Sequence, residues 1–487
     1  MTVKIVQKYK DLPIQVKASL CFFVCSFLQK GISFITTPIF TRLLSTSEYG
    51  KYSIFSSWQG VLSVIVTLHL SHGVYTRGLV KFEKEKEVFS SSLQGLTLTL
   101  VSVWLLFYLV FQKWINSFVG LATNQFVMMF LIIWASSVFY FWSTKQRVEL
   151  KYQTLVLVTI AVSIAKPVLG ILLVRSAEDK VTARIFGLTL VEILAFTPLF
   201  FLQMRRGKCF YNAGYWKHAI KFNLPLIPHY LSQTVLSSMD RIMVGRMVDN
   251  STAGIYSLAY SISMIMTMFN SALFQTYEPW LYKKIHRNEI ESISKAVYPS
   301  FLLIAIVNLL LIAFAPEVVA IFAPPAYHDA IYVIPPVAMS VFFMFAYPFF
   351  AVFEFYFEKT KWIAAASVAG AVLNIILNFI FIRIFGYYAA GYTTLVCYII
   401  YAASHYMFMR KICKNHLNNR QPYNMKIFIL LSFVFIAVGF IILLTYSYPY
   451  VRYGFIICIV VESICFRKKL INTVQKILNI RKESKDS

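Results

Sequence analysis

Acidic side chains are scarce in this chain. Its 487 residues hold 21 Asp and Glu against 46 Lys and Arg, and charged residues of both signs make up only 14% of it. So small a charged share, beside 58% hydrophobic residues, excludes a disordered polymer and a well-solvated globular domain. Cysteine is sparse as well, with seven in all. Cys209 and Cys413 fall in segments expected to face the cytoplasm, and Cys21, Cys25, Cys397, Cys458 and Cys465 fall in apolar runs or at their ends. No cysteine falls in an expected external loop, where a disulfide would persist. Cys21 and Cys25 are one helical turn apart with no His or carboxylate nearby, so no metal site is expected. Also missing are a Gly-rich phosphate loop, a zinc-type His pair and a nucleophile elbow. The external loops are too short to house a catalytic domain. No catalytic residue is therefore assigned, and an enzyme is not expected.

Long apolar runs are what fill the chain. Runs able to cross roughly 30 Å of hydrocarbon number fourteen between residues 18 and 466, which predicts an all-α integral membrane protein. The first run is too long for a signal peptide and has no small-residue cleavage site, so none is expected. A net charge of +25 would point to nucleic acid in a soluble protein, but its distribution excludes that partner. With the N-terminus inside, only nine Lys and Arg fall in external loops: Arg42, Lys51, Lys113, Arg175, Lys180, Arg184, Arg246, Arg383 and Arg452. Three lie within the membrane runs, and the remainder face the cytoplasm. This is the positive-inside bias, with anionic membrane lipids as partners of the basic faces and both termini cytoplasmic.

The chain also repeats itself at an offset of 204 residues. Arg42, Ser47, Gly50, Tyr52 and Ser53 return as Arg246, Ser251, Gly254, Tyr256 and Ser257. Gln29 and Ser33 return as Gln233 and Ser237, and Gly187 and Thr189 as Gly391 and Thr393. An even number of spans separates the copies, so both halves should enter the membrane in the same direction with a substrate path between them. The expected division is a six-helix bundle over residues 1–215, a second over 216–415, and two extra helices with a basic tail over 416–487. From Arg467 onward the tail reads as partly amphipathic.

Lys30, Lys166 and Arg241 are the cations inside the membrane runs, where each needs a partner or a watery cavity. Lys30 shares a helical face with Ser19, Ser26, Ser33 and Thr37, the pattern of a hydrated wall; the alternative is a lysine buried against an acid of a neighbouring helix. Lys166 precedes Pro167, so it either compensates a kink or serves a site. Arg241 lies near the outer end of its helix beside Asp240, which can neutralise it, and it shares a polar face with His229, Gln233 and Ser237. Among the acids, Glu192 is deep enough to bind a proton or sodium ion, or to pair with Lys166. Glu354, at the inner end of its helix, is likewise an acid that can exchange a proton or bind sodium, while His69, His72 and His405 read as inner-end groups satisfied by a hydrogen bond or by water. Pro225, Pro228, Pro335, Pro336 and Pro348 are expected to interrupt two helices.

Residues 222–282 resemble the corresponding region of the polysaccharide-unit (O-antigen type) flippases. The residues that carry this are Asn223-Leu224-Pro225, Asp240-Arg241 and Gly254-Ile255-Tyr256-Ser257. Glu48-Tyr49-Gly50-Lys51-Tyr52-Ser53 is similar to that family's first-half signature. The resemblance implies the multidrug/oligosaccharidyl-lipid/polysaccharide exporter fold, residence in the bacterial inner membrane, and a cargo of oligosaccharide linked through pyrophosphate to undecaprenyl. It implies an ion gradient, proton or sodium, rather than a cofactor, with a polysaccharide polymerase and chain-length regulator as companions. Cationic Lys30 and Lys166 suit the pyrophosphate, with Arg241 helping near the outer exit and Gln29, Gln233, Ser33 and Ser237 lining the path. Glu192 and Asp240 are then the candidates for ion coupling. The rival readings are a cation-coupled multidrug exporter, a peptidoglycan-precursor flippase and a membrane polysaccharide polymerase.

Overall fold

The computed structural model describes residues 14–465, and every regular element among them is a helix. The basic tail expected from Arg467 onward, and the side chains of Ser19 and Cys465, lie outside the described residues. Helical segments underlie all fourteen expected spans. Nine of the described helical stretches are long and apolar enough to cross a membrane. The protein is thus an all-α, multi-pass membrane protein.

Among the described residues the helices gather into two compact units that divide between residues 234 and 235. The first holds α1 (Ile14–Leu43), α2 (Thr46–Thr67), α3 (Val74–Lys81), α4 (Lys86–Val119), α5 (Thr123–Val148), α6 (Tyr152–Ser176), α7 (Lys180–Gly207) and α8 (Ala213–Asn223). Phe55, Tyr108, Phe126, Met129 and Ile133 centre its apolar core. A single 3-10 turn at Leu224–Leu226, with Pro225 inside it, separates α8 from α9 (Ile227–Met247), as the proline pair predicts.

The second unit holds α10 (Asn250–Met264), α11 (Met266–His286), α12 (Ile293–Ala313), α13 (Ala315–Phe322), α14 (Ala330–Tyr356), α15 (Thr360–Phe385), α16 (Ala389–His416), α17 (Met425–Leu444) and α18 (Pro449–Cys465). Helix α14 is its axis and is buried over most of its length. Contrary to expectation, Pro335, Pro336 and Pro348 do not interrupt α14, which runs unbroken through all three. Its neighbours hold its backbone instead: Asn270 donates to the carbonyl of Val341 at 3.1 Å and Ser263 to that of Ile334 at 3.4 Å. Tight packing on every side outweighs a proline penalty of about 3 kcal/mol per residue.

The internal repeat has a local structural counterpart. Helix α1 ends at Leu43 and α2 begins at Thr46; 204 residues on, α9 ends at Met247 and α10 begins at Asn250. Ser45 caps α2, its hydroxyl accepting from the Glu48 amide at 3.2 Å. At the equivalent place Asp249 caps α10, accepting from the Thr252 amide at 2.8 Å. In both copies a short oxygen-bearing side chain satisfies an orphan amide where the chain reverses, which fixes the turn.

Candidate transport site

The first unit encloses a cavity of about 600 Å³ lined by residues of α1, α2, α5, α6 and α7. Its position follows from helix packing. Gly187 of α7 lies against Gly170 of α6, where a Cβ would come within 3.2 Å of the facing backbone, so the two helices approach closely at this point. One turn before Gly170 is Lys166, and Glu192 lies just beyond Gly187. The close crossing thereby brings Lys166 Nζ to 2.5 Å from Glu192 Oε1. Ser136 of α5 donates to the other carboxylate oxygen at 2.6 Å. Glu192 is buried and Lys166 about one quarter exposed. Of the two sequence readings of Glu192, the pairing with Lys166 is the arrangement observed.

On the facing wall, α1 contributes Ser26, Gln29, Lys30 and Ser33. Three of the residues singled out on the polar face of α1, Ser26, Lys30 and Ser33, therefore do border the cavity. Thr37 instead turns its hydroxyl to the Ser33 carbonyl at 3.0 Å. Lys30 is exposed, and no carboxylate pairs with it among the described residues.

Two further cations line the cavity, and sequence reasoning had assigned both to loops. Arg184 lies in the second turn of α7, its guanidinium between the rings of Phe40, at 3.7 Å, and Tyr52, at 3.5 Å. One of its terminal nitrogens, Nη1, is buried with no hydrogen-bond partner. Arg147, at the end of α5, faces the Phe22 ring at 5.5 Å. A helix boundary uncertain by a few residues was enough to hide them. Tyr52, itself a member of the repeat, was the available signal for Arg184. No carboxylate is among the residues lining the cavity; Glu192 pairs with the lining Lys166, and Lys30, Arg147 and Arg184 have no carboxylate partner among the described residues, which leaves a cationic surface. Guanidinium and ammonium groups so placed favour an anion over a cation.

The other expected residues belong elsewhere. Gln233, Ser237, Asp240 and Arg241 lie on α9 and are not among those lining this cavity. Arg241 bonds to its own helix, donating to the Ser237 carbonyl at 2.5 Å, and its guanidinium lies 5.0 Å from the Tyr260 ring. Asp240 does not pair with Arg241 among the described residues. Its buried carboxylate accepts instead from Asn378 at 2.6 Å, Thr394 at 2.6 Å and Tyr256 at 2.7 Å. Asn378 in turn accepts from Thr393, and Asn374 adjoins it at 3.3 Å. The second unit thus carries a buried carboxylate that accepts hydrogen bonds only from neutral hydroxyl and amide groups among the described residues. Tyr256 and Thr393 belong to the repeat, but nothing in their spacing told that they meet Asp240.

This helical membrane fold is the one shared by solved flippases and multidrug exporters. The fold resembles that of the lipid II flippase MurJ in an inward closed conformation, with a TM-score of 0.71 and 14% identity over 92% of this chain and 99% of that one. An inward-facing multidrug resistance exporter of the MATE family is similar at a TM-score of 0.60, with 11% identity over 80% of this chain and 96% of that one. The sequence is 24% identical over 400 residues to the probable low-salt glycan biosynthesis flippase Agl15 of Haloferax volcanii, covering 80% of this chain and 82% of the relative. Residues 16–284, more than half of the chain, match the polysaccharide biosynthesis protein family, and the chain belongs to that family.

Proposed function

We propose that this protein is a flippase for undecaprenyl-pyrophosphate-linked oligosaccharide units, moving them across the bacterial inner membrane for O-antigen or capsule assembly. The carrying observation is the charge of the cavity: Lys30, Arg147 and Arg184 line it without carboxylate partners among the described residues. A pyrophosphate provides the counter-charge, while the hydroxyls of Ser26, Ser33 and Ser163 and the Tyr52 and Tyr140 rings suit a sugar. Lys30 and Lys166, joined by Arg184, grip the phosphates, with Gln29 and Ser33 also lining the cavity. Gln233, Ser237 and Arg241 serve a later part of the path. The family membership and the glycan-flippase name of the Haloferax relative support the same cargo class.

Coupling follows from the same contacts. An anion arriving at Lys166 competes with Glu192, and a released carboxylate takes a proton. Asp240, with its nest of Asn378, Thr394 and Tyr256, is the second coupling group, for sodium or a proton. The reading includes fourteen spans, two six-helix bundles over residues 1–215 and 216–415, a two-helix addition, and cytoplasmic termini. A polymerase and a chain-length regulator would receive the product. The MATE-like fold keeps drug export as the rival, but an organic cation would meet like charges in this cavity.

The deciding experiment uses cells lacking the protein and purified protein in vesicles. Lipid-linked repeat units should accumulate on the cytoplasmic side of the mutant cells, and vesicles bearing the protein should move a labelled lipid-linked oligosaccharide across the bilayer. Full surface polysaccharide from a Lys30→Ala, Lys166→Ala double variant would overturn the cationic-cavity reading.

A further inference from the structure

Near one end of the long α14–α16 contact, Glu354 and His405 form an isolated pair. Oε1 of Glu354 and Nδ1 of His405 are 2.7 Å apart, and both residues are fully buried. The second carboxylate oxygen and the second ring nitrogen have no protein partner among the described residues. The surroundings are aromatic. The Tyr401 ring lies 4.6 Å from the imidazole, that of Tyr347 at 5.5 Å and that of Phe408 at 6.4 Å. Ser367 of α15 meets Tyr401 at 3.0 Å. Tyr347 and Tyr401 are the other titratable groups facing the pair. No Lys, Arg, Asp or other Glu from α10, α11, α12, α15 or α17 interacts with it among the described residues; His286 of α11 reaches Tyr356 instead, at 3.2 Å.

Such a pair has one comfortable state. Holding a single proton, it is net neutral, whether as carboxylic acid with imidazole or as carboxylate with imidazolium. With no proton it leaves a negative charge in an apolar setting, and with two a positive one, and neither charge has a partner there. We propose that Glu354 and His405 together form a proton-binding site that is loaded while α14 and α16 are closed and unloads when they part. Once water reaches the pair, a lone carboxylate charge is solvated and no longer costly. Above the imidazole value of ~6.5 the N–H or O–H bond then breaks and the proton passes to water. Closure requires reloading, so the opening of the second unit is tied to one proton. The use of this proton in transport rests on the flippase reading, but its binding does not.

Hydrogen exchange tests this on the wild-type full-length protein in nanodiscs without cargo. Amides of α14 and α16 should become less protected as pH rises through the neutral range, and protection independent of pH would overturn the proposal. Potentiometric uptake on acidification gives the second measurement. A Glu354→Gln, His405→Gln variant keeps a hydrogen bond and the packing volume, and it should take up about one proton fewer per chain while losing the pH dependence of exchange. Uptake equal to wild type would also overturn it. Proton loading by a protein that moves no lipid-linked glycan would refute the cargo reading and leave this site standing.

Discussion

Replacing Lys166 by methionine isolates the energetics of the cavity. The change keeps most of the side chain's length and removes its charge. It leaves Glu192, whose side chain is only 4% exposed, with Ser136 as its remaining partner. Removing one member of a fully buried pair costs ~3–5 kcal/mol. The partial exposure of Lys166 and the surviving 2.6 Å hydrogen bond from Ser136 place this case at the lower end. A loss of about 3 kcal/mol is therefore expected, more than a hundredfold in the unfolding equilibrium. Adding Glu192→Gln removes the stranded charge and keeps an acceptor for Ser136, so the double variant should return to within about 1 kcal/mol of wild type. Steric-trap unfolding in bicelles measures both. Cargo binding should not return with stability, because the cation is still missing. Equal destabilisation in the single and double variants, or none in the single, would refute the argument that this buried pair is held by mutual neutralisation.

Three further outcomes are expected. Arg184→Ala removes a guanidinium held between Phe40 and Tyr52; it should cost about 1–2 kcal/mol in thermal stability and weaken cargo binding, and Arg184→Lys should recover neither fully because an ammonium does not stack between two rings. Gly95→Ala places a Cβ 2.1 Å from the backbone oxygen of Phe210; the clash should outweigh the helix-propensity gain of about 1 kcal/mol, giving a net loss seen as a lower melting temperature by fluorescence-detected chromatography. Just beyond α5, burial alone would raise the Glu149 carboxyl, but hydrogen bonds from Lys151 at 2.7 Å and Lys86 at 2.8 Å outweigh it and hold the group below the ordinary carboxylate range. The stability this contributes is complete above the unfolded value of ~4.3 and disappears as pH falls through the lowered folded value. Over that acidic window wild type should lose more thermal stability than Glu149→Gln, and equal losses would show that the contact is not linked to protonation.

The helical, membrane-spanning character was legible in the chain because burial in hydrocarbon demands long uninterrupted apolar runs, and those are a property of composition and order alone. The repeat was legible too, and it located one pair of equivalent turns well: Ser45 and Asp249 cap helices that begin 204 residues apart. Lys30 and its polar helical face could be read because a helix face is set by local periodicity. Contacts between distant segments were not readable in the same way. The Lys166–Glu192 pair was one of two readings left open by the sequence and packing decided it; packing alone turned Arg184 inward between two rings and surrounded Asp240 with Tyr256, Asn378 and Thr394 instead of Arg241. Packing also kept α14 unbroken through three prolines. A sequence states which side chains carry charge and which helix face they share. Whether a charge is paired, stacked or left open to cargo depends on which helices approach closely, and here small residues such as Gly170 and Gly187 decide that through space.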